Sequence, residues 1–267
     1  MSNVHPTAIV SPGAELHPTV EVGPYAVIGP HVRLGEGTVV GPHAVIEGRT
    51  RMGAKNRVFQ FASIGAIPQD LKYAGEPTEL HIGDGNQFRE FTTLNLGTVG
   101  GGGVTRVGNG NLLMAYSHVA HDCIVGNGCI LANSVSLAGH VELEDHVILG
   151  GLSAVHQFTR IGRHGFIAGG SMVVMDVAPY CTVQGDRAAL SGLNTVGLTR
   201  HGYDEAPVPA DVRSDAVRRV KEAYRVLFRS KLGMEEAVAK VRAELGGHPE
   251  VDYLVDFIAA SKRGLTR

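Results

Sequence analysis

Apolar residues recur along this chain at every sixth position. An aliphatic residue, Met or Phe stands at each such position from 4 to 64, from 82 to 94 and from 107 to 173. The position two before is usually small or β-branched, as Ala26 before Ile28 and Ala44 before Ile46. An amphipathic helix needs a period near 3.6 and a plain strand needs 2, so a period of six fits neither element alone.

The period of six predicts short strands separated by corners. Ala26 and Ile28 lie two apart, as inward positions of one strand do, and the Gly-rich positions that follow supply the bend. Three such sides close a coil of about 18 residues, and stacked coils bury a core that one coil cannot. We therefore predict an all-β parallel β-helix over residues 1–190, rather than a Gly-rich β-sandwich. Inserted loops are expected near 66–79 and 98–106, where the period breaks.

Residues 191–267 are predicted to form a small C-terminal α-helical domain. Apolar stripes at helical spacing occur between 217 and 228, between 238 and 245, and between 251 and 258. Residues 211–267 hold 12 Lys plus Arg against 9 Asp plus Glu, so this end is the more basic one. A solvated helix face or a dock for an acidic protein explains the basic end.

Composition excludes several functional classes. The 267 residues carry 24 Lys plus Arg and 26 Asp plus Glu, and a net charge of −2 argues against a nucleic-acid partner. Cys123, Cys129 and Cys181 form no even set of bridges, which fits a reducing compartment. Cys123 and Cys129 fall on inward small positions, so we expect them to be buried. With no signal peptide and no apolar run of membrane-spanning length, we expect a cytoplasmic protein without stable membrane insertion.

Residues 18 apart stack in one column of such a β-helix. This spacing predicts that several polar residues lie together at one corner. His121 lies under Gly139, and Asp122 lies under His140. His is suited to acid/base work near neutral pH, and an adjacent carboxylate orients it. Gly139 leaves a backbone N–H open to a substrate oxyanion. Three further residues belong to the same edge: His118, His156 and Gln157.

A metal site is the main rival for this corner. Several hexapeptide proteins resembling γ-class carbonic anhydrases hold zinc with three histidines. Their paired ligands are five residues apart, whereas His118 and His121 are three apart, so we expect no metal. A metal-dependent hydratase and a purely structural solenoid remain as alternatives. The run from Gly100 to Gly103 has no strand before it and no helix after it, so we interpret it as a loop hinge.

The departures from the hexads point to a family. The inserted stretch QDLKYAGEPT at 69–78 is one of several segments that resemble the acyl-carrier-protein:UDP-N-acetylglucosamine O-acyltransferases, the first enzymes of lipid A synthesis. These hexapeptide-repeat enzymes are left-handed β-helices, and we expect that hand here. The other matching segments are GTV at 97–99, HVAHDC at 118–123, LAGHV at 137–141, AVHQF at 154–158, QG at 184–185 and RGL at 263–265.

The resemblance implies roles for individual residues. His121 would be the general base that removes the proton of the sugar 3-hydroxyl, Asp122 would orient it, and Gly139 N–H would bind the oxyanion. Gly169 falls where this family measures acyl length, and a glycine there implies a long 3-hydroxyacyl chain of roughly 12 to 16 carbons. Residues implied in substrate binding are Gln69, Asp70, Lys72, His118, His140, His156, Gln157, Asn194 and Arg200.

The resemblance also implies partners. The acyl donor would be carried on the phosphopantetheine of acyl carrier protein, the acceptor would be a UDP-sugar, and no cofactor would be needed. A homotrimer with sites between subunits is expected. Three positions differ from the residues usual in the family: Asn95, Val196 and His201. Whether the acceptor group is a 3-hydroxyl or a 3-amino group stays open at this stage.

Overall fold

The computed structural model describes residues 3–200 and 210–267, with side chains described at 3–198 and 214–267. Short strands form three long sheets. The first sheet consists of Asn3–Val4, Glu21–Val22, Val39–Val40, Arg57–Val58, Gln87–Phe88, Leu112–Leu113, Ile130–Leu131, Ile148–Leu149, Phe166–Ile167, Cys181–Gln184 and Ala189–Leu193. The second consists of Ile9–Val10, Val27–Ile28, Val45–Ile46, Ser63–Ala66, Thr93–Asn95, His118–Val119, Ser136–Leu137, Ala154–Val155 and Met172–Val173. The third consists of Glu15–Leu16, Arg33–Leu34, Arg49–Met52, Glu79–Ile82, Val104–Val107, Ile124–Val125, Glu142–Leu143 and Arg160–Ile161.

The chain visits the three sheets in turn, and each strand pairs in parallel with the strand one coil further on. In the regular coils the partners are 18 residues apart, as Val4 is with Val22 and Val119 with Leu137. The second residue of each short strand points inward, and Ile28 and Leu137 are fully buried. The predicted parallel β-helix and the inward ladder of every sixth residue are confirmed.

Two insertions interrupt this regularity. Arg57 pairs with Gln87, thirty positions on instead of eighteen, so the first insertion adds twelve residues. Thr93 pairs with His118, twenty-five positions on, so the second adds seven. Both insertions leave the second sheet and return to the third, which places them at the same corner of the prism.

Each corner stacks side chains from successive coils. The aromatic corner, between the first and second sheets, carries a ladder of exposed rings whose centroids are 4.9 to 5.2 Å apart. Each of these residues has a left-handed backbone with φ between 58° and 65°, which directs its side chain outward. His43 stacks between the rings of Tyr25 and Phe61 and so belongs to this ladder. The ladder consists of Tyr25, His43, Phe61, Phe91 and Tyr116.

The asparagine corner, between the third and first sheets, holds a buried ladder of Asn56, Asn86 and Asn111. The Asn86 side-chain oxygen accepts from both Asn111 N and Asn111 Nδ2 at 2.9 Å. Asn86 Nδ2 in turn donates to Asn56 Oδ1 and to Gly108 O, both at 2.9 Å. Asn111 Oδ1 accepts from Cys129 N at 2.7 Å, so one chain of amides satisfies the buried turns of several coils.

The cysteines are buried as expected. Cys123, Cys129 and Cys181 are free thiols, and burial raises the pKa of each to about 12. Buried thiols with a raised pKa are poor nucleophiles, so they act as small core residues.

The C-terminal part begins with an antiparallel hairpin that the hexad pattern does not predict: Cys181–Gln184 pairs with Ala189–Leu193. Four helices follow in the described part of the chain: α1 (Thr195–Arg200), α2 (Ala210–Arg229), α3 (Met234–Leu245) and α4 (Pro249–Ala259). The three apolar stripes of the sequence correspond to α2, α3 and α4. Among the described residues no helix is both long and apolar enough to cross a membrane.

Polar and aromatic contacts attach α4 to the β-helix. Arg163 donates to Glu250 at 2.7 Å, and its guanidinium lies 3.8 Å from the centre of the Tyr253 ring. Tyr180, which is 1% exposed, contacts both Arg163 and Glu250. A charged pair stacked on a ring and hydrogen-bonded to a buried phenol holds a fixed geometry, so α4 has a defined position on the coils.

We expect Asn86→Ala to lower the free energy of unfolding by about 3 kcal/mol, because it leaves buried donors of Asn111 without an acceptor. Urea unfolding measures this loss. Asn109→Ala is the matched control, because Asn109 makes the same kind of turn bond to Asp84 N but is exposed. The control should cost less than about 1 kcal/mol. Equal losses in the two variants would contradict a special role of the buried ladder.

Candidate active site

The histidine corner, between the second and third sheets, brings together His121, Asp122, His140 and Phe158. His121 and Asp122 form the turn between the strands His118–Val119 and Ile124–Val125. Asp122 and His140 have left-handed φ values of 60° and 61°, which stack their side chains in one column. The structure therefore confirms the prediction, made from the 18-residue spacing, that His140 stacks over Asp122.

His121 and Asp122 form a hydrogen-bonded pair. His121 Nδ1 lies 2.8 Å from Asp122 Oδ2, and the Asp122 side chain is 0% exposed against 16% for His121. A carboxylate only accepts, so the bond requires the proton on Nδ1 and leaves Nε2 unprotonated in the neutral ring. The pair is thus arranged as a base whose free nitrogen faces away from its carboxylate.

Gly139 packs directly against the His121 ring. A Cβ at position 139 would lie 2.5 Å from His121 Cε1 and 2.8 Å from His121 Nε2, so only glycine fits there. Gly139 O accepts from Phe158 N at 3.2 Å, whereas no carbonyl of the described residues accepts from Gly139 N–H. A free backbone donor therefore stands beside the unprotonated nitrogen of His121.

His140 closes one side of this corner. Its Nε2 lies 3.7 Å from Asp122 Oδ2, and its ring stacks on Phe158 with centroids 4.3 Å apart. Burial lowers the pKa of His140, although the Asp122 carboxylate opposes this effect. His140 is therefore biased toward the neutral form near pH 7.

His118, His156 and Gln157 lie around the same corner with contacts of their own. His118 Nδ1 lies 2.7 Å from Thr93 Oγ1, and burial, together with the nearby His121, lowers the pKa of His118. His156 Nδ1 lies 3.1 Å from the exposed Gln157 main-chain oxygen and 3.2 Å from the Arg263 guanidinium of the C-terminal segment. The matched RGL segment at 263–265 therefore contributes a cation beside His156.

The first insertion forms a wall over the histidine corner. Asp70 and Lys72 line a groove of about 320 Å³ together with His140 and Phe158. Asp70 Oδ1 accepts from Lys72 N at 3.0 Å, which shapes the turn that presents both residues. Gln69 is exposed at the start of this turn. The groove is also lined by residues that sequence reasoning missed: Tyr73, Glu76, Thr98, Val99 and Gly100.

The second insertion packs against Asp122 from below the groove. It forms a short turn, Val99–Gly101, and Thr98 donates through both its N–H and its hydroxyl to the Asp122 carboxylate. A Cβ at position 101 would lie 2.0 Å from Asp122 Cγ. Gly101 is therefore packed on a buried carboxylate, whereas Gly102 and Gly103 have left-handed φ values of 90° and 83° and open space beside them. The interpretation of Gly100 to Gly103 as a loop hinge stays a prediction.

Two predicted site residues, Asn194 and Gly169, lie away from this corner in a single chain. Asn194 Nδ2 donates to His164 O and its Oδ1 accepts from Gly197 N, both at 2.9 Å, so its amide begins α1. Gly169 is exposed at the aromatic corner, one sheet away. The side chain of Arg200 and all of His201 lie outside the described residues. Val196 is 56% exposed in a groove on the first sheet.

The histidine corner contains side chains that could bind a metal ion. Ligand atoms of His121, Asp122 and His140 lie within 4.8 Å of one another. Both Asp122 oxygens already accept hydrogen bonds, from Thr98 and from His121. The donor set therefore resembles an oriented acid/base pair more than a set of free ligands.

Comparisons with known proteins decide the family. A sequence model described as Udp N-acetylglucosamine O-acyltransferase, Domain 2, matches residues 176–266, and a bacterial transferase hexapeptide model matches 13–48 and 105–139. A Myxococcus xanthus protein named acyl-[acyl-carrier-protein]--UDP-N-acetylglucosamine O-acyltransferase is 64% identical over 267 residues, covering 100% of both chains. This chain belongs to the UDP-N-acetylglucosamine O-acyltransferase family.

Further members of the UDP-N-acetylglucosamine O-acyltransferase family agree with this assignment. A relative of the same name from Anaeromyxobacter is 57% identical and is covered over 99% of both chains. The solved structure of LpxA from Acinetobacter baumannii matches with a TM-score of 0.92 and 41% identity, over 99% of this chain and 100% of that one. The predicted family, the acyltransferase class and the β-helix with a helical C-terminal part are confirmed.

We expect His118 and His140 to titrate below the ordinary histidine value of about 6.5, because burial disfavours their charged forms. NMR titration of the ring protons measures both midpoints, and His118→Asn and His140→Asn assign the signals. Near pH 7 both rings should be neutral and able to both donate and accept hydrogen bonds. A midpoint well above 6.5 for His140 would mean that the Asp122 charge outweighs burial at this corner.

Proposed function

We propose that this protein transfers a 3-hydroxyacyl chain from acyl carrier protein to the 3-hydroxyl of UDP-N-acetylglucosamine, the first step of lipid A biosynthesis. The observation that carries the proposal is the His121–Asp122 pair beside the free N–H of Gly139. Membership of the family, whose members carry this donor and acceptor in their names, supports the choice of substrates.

His121 acts as the general base. Its Nε2 takes the proton of the sugar hydroxyl while that oxygen attacks the thioester carbonyl, and Asp122 stabilises the resulting imidazolium. A C–O bond forms as the C–S bond breaks, and His121 returns the proton to the leaving phosphopantetheine thiolate. Gly139 N–H donates to the carbonyl oxygen as it gains charge. The thioester is part of the donor substrate, so these steps call on no cofactor.

The first insertion binds the sugar nucleotide. Lys72 offers a cation for the diphosphate, and Asp70 and Gln69 offer polar groups for the sugar at the rim of the groove. Neutral His118 and His140 serve as hydrogen-bonding groups rather than charges. His156 and Gln157 stand on the exposed side of the corner, where the pantetheine arm or the sugar approaches.

Acyl carrier protein docks on the basic helix α2. Arg218 pairs with Asp215 and Glu222, and Arg219 pairs with Asp215, so both of these cations are largely neutralised within the helix. Lys221 and Arg225 are exposed on α2 without a carboxylate partner among the described residues. These two residues are therefore the better candidates for contacts with an acidic carrier.

A homotrimer completes the site. The stacked aromatic ladder leaves Phe61 47% and Tyr116 60% exposed, an apolar stripe along one edge of the prism. Placing this edge on a threefold axis buries the rings and sets the first sheet of one copy against the second sheet of the next. The outer border of the second sheet is the histidine corner, and the outer border of the first carries Asn194 and Val196.

This arrangement accounts for the residues that lie apart in one chain. In such a trimer the groove of about 430 Å³ between Ile148, Phe166 and residues 193–197 would face the histidine corner of the neighbouring copy. In the trimer Gly169, at the aromatic corner, lies along the interface between copies and not next to the general base His121. Glycine adds no side chain at this exposed position, so it leaves room there for the acyl chain.

The assay that tests the proposed reaction uses chelator-treated protein, 3-hydroxyacyl carrier proteins of several chain lengths and UDP-N-acetylglucosamine, with products read by mass. We expect one long chain to be transferred, and His121→Ala to lower kcat by about 10²- to 10⁴-fold, as loss of a general base does. Asp122→Asn should cost less, because His121 remains in place.

Three results would contradict parts of this proposal. Near-normal turnover of His121→Ala would show that His121 is not the general base. Transfer only to the 3-amino analogue of the sugar would change the acceptor. Loss of activity on chelation, restored by zinc, would favour a metal at His121, Asp122 and His140.

The trimer has a separate test. We expect Phe61→Glu to sediment as a monomer with a normal circular dichroism spectrum and to lose transferase activity, because the charge lies on the ladder and each site needs two copies. Ile124→Glu is the matched control: Ile124 is 44% exposed on the third sheet, away from the proposed axis. A Phe61→Glu monomer with full activity would show that one copy suffices.

A further inference from the structure

We propose that Thr98 is a positioning residue that holds the Asp122 carboxylate in the orientation needed by His121. The inference rests on the proposed function, because it assigns Thr98 a role through the His121–Asp122 pair. It makes the second insertion, which the β-helix does not need for its core, part of the catalytic apparatus.

Thr98 contacts both oxygens of the carboxylate. Its N–H donates to Asp122 Oδ1 at 2.7 Å, and its hydroxyl donates to Asp122 Oδ2 at 2.6 Å. Oδ2 also accepts from His121 Nδ1 at 2.8 Å. Two donors from one residue fix the rotation of the carboxylate plane, so Oδ2 keeps a lone pair directed at the His121 ring.

The backbone of Asp122 is held from the other end of the insertion. Asp122 N donates to Thr105 Oγ1 at 2.8 Å, and Thr105 is fully buried. This bond stabilises the left-handed φ of 60° at Asp122, which an aspartate adopts less readily than a glycine. Thr98 and Thr105 flank the inserted loop, so its two ends hold the side chain and the main chain of the same residue.

Gly101 seals the carboxylate. A Cβ at this position would lie 2.0 Å from Asp122 Cγ and 2.3 Å from both carboxylate oxygens, so the loop backbone lies directly on the carboxylate. The Asp122 side chain is consequently 0% exposed. With water excluded, the oxygens depend on Thr98 and on His121 for their hydrogen bonds.

The test compares Thr98→Val, which removes only the hydroxyl donor at nearly constant shape, with Thr98→Ser, which keeps it. We expect Thr98→Val to lower kcat by about 10- to 100-fold, the size of a lost hydrogen bond to a charged group, with KM for the UDP-sugar nearly unchanged. Thr98→Ser should recover most of kcat. Thr159→Val is the control, because Thr159 is buried but its hydroxyl has no partner among the described residues.

The pH profile separates positioning from simple structural support. A carboxylate with one fewer donor stabilises the imidazolium form of His121 more strongly, so the acid limb of kcat against pH should move to higher pH in Thr98→Val. The other titratable groups around this pair are His118 and His140 and, in the groove, Asp70, Lys72, Tyr73 and Glu76, and the substitution changes none of them.

A double-mutant cycle with Asp122→Asn decides the matter even where Thr98→Val is less stable. If Thr98 acts through Asp122, the double variant is about as slow as Asp122→Asn alone. Losses that multiply would overturn the inference, as would full kcat in Thr98→Val. Since His121→Ala is assayed in parallel, an active His121→Ala would count against the proposed base and not specifically against Thr98.

Discussion

The parallel pairing of successive coils is the constraint on which the rest of this molecule depends. Each coil donates backbone hydrogen bonds to the next, as Val27 N does to Ala44 O and Val45 N does to Ala62 O, both at 2.9 Å. A shift of one residue would turn every inward aliphatic side chain to solvent, so the buried ladder and the hydrogen-bond ladder enforce the same register. Because the register is fixed, residues 18 apart become neighbours, and functional groups from successive coils can be stacked into one site.

The corners use this repetition for different ends. All three stack side chains from successive coils, yet the asparagine corner turns amides inward to satisfy buried turns, and the aromatic corner turns rings outward. At the histidine corner the stack changes its chemistry from coil to coil, from Asp122 to His140 to Phe158. The polarity of this column therefore changes along its length. It has the buried carboxylate at one end, the imidazole in the middle and an apolar aromatic ring at the other end.

The insertions convert this corner into a site. A bare β-helix would leave Asp122 and His121 at an open edge where water competes for their hydrogen bonds. The first insertion adds a wall with Asp70 and Lys72, and the second closes over the Asp122 carboxylate through Thr98 and Gly101. Both leave and rejoin the helix at the same corner, so they add function without disturbing the register of the core.

The sequence by itself determined the β-helix, the places of its two insertions, the three apolar helices and the stacking of His140 over Asp122. These features follow from regular spacings of residues, and such spacings can be read directly from the amino-acid sequence. Family motifs added the candidate base and the substrates. Only the tertiary structure decided what the insertions contact: that Thr98 bonds to Asp122, that Arg263 reaches His156, and that the Asn194 amide begins α1. Such contacts join segments with no repeating spacing, so their geometry depends on how loops of irregular length fold back on the coils.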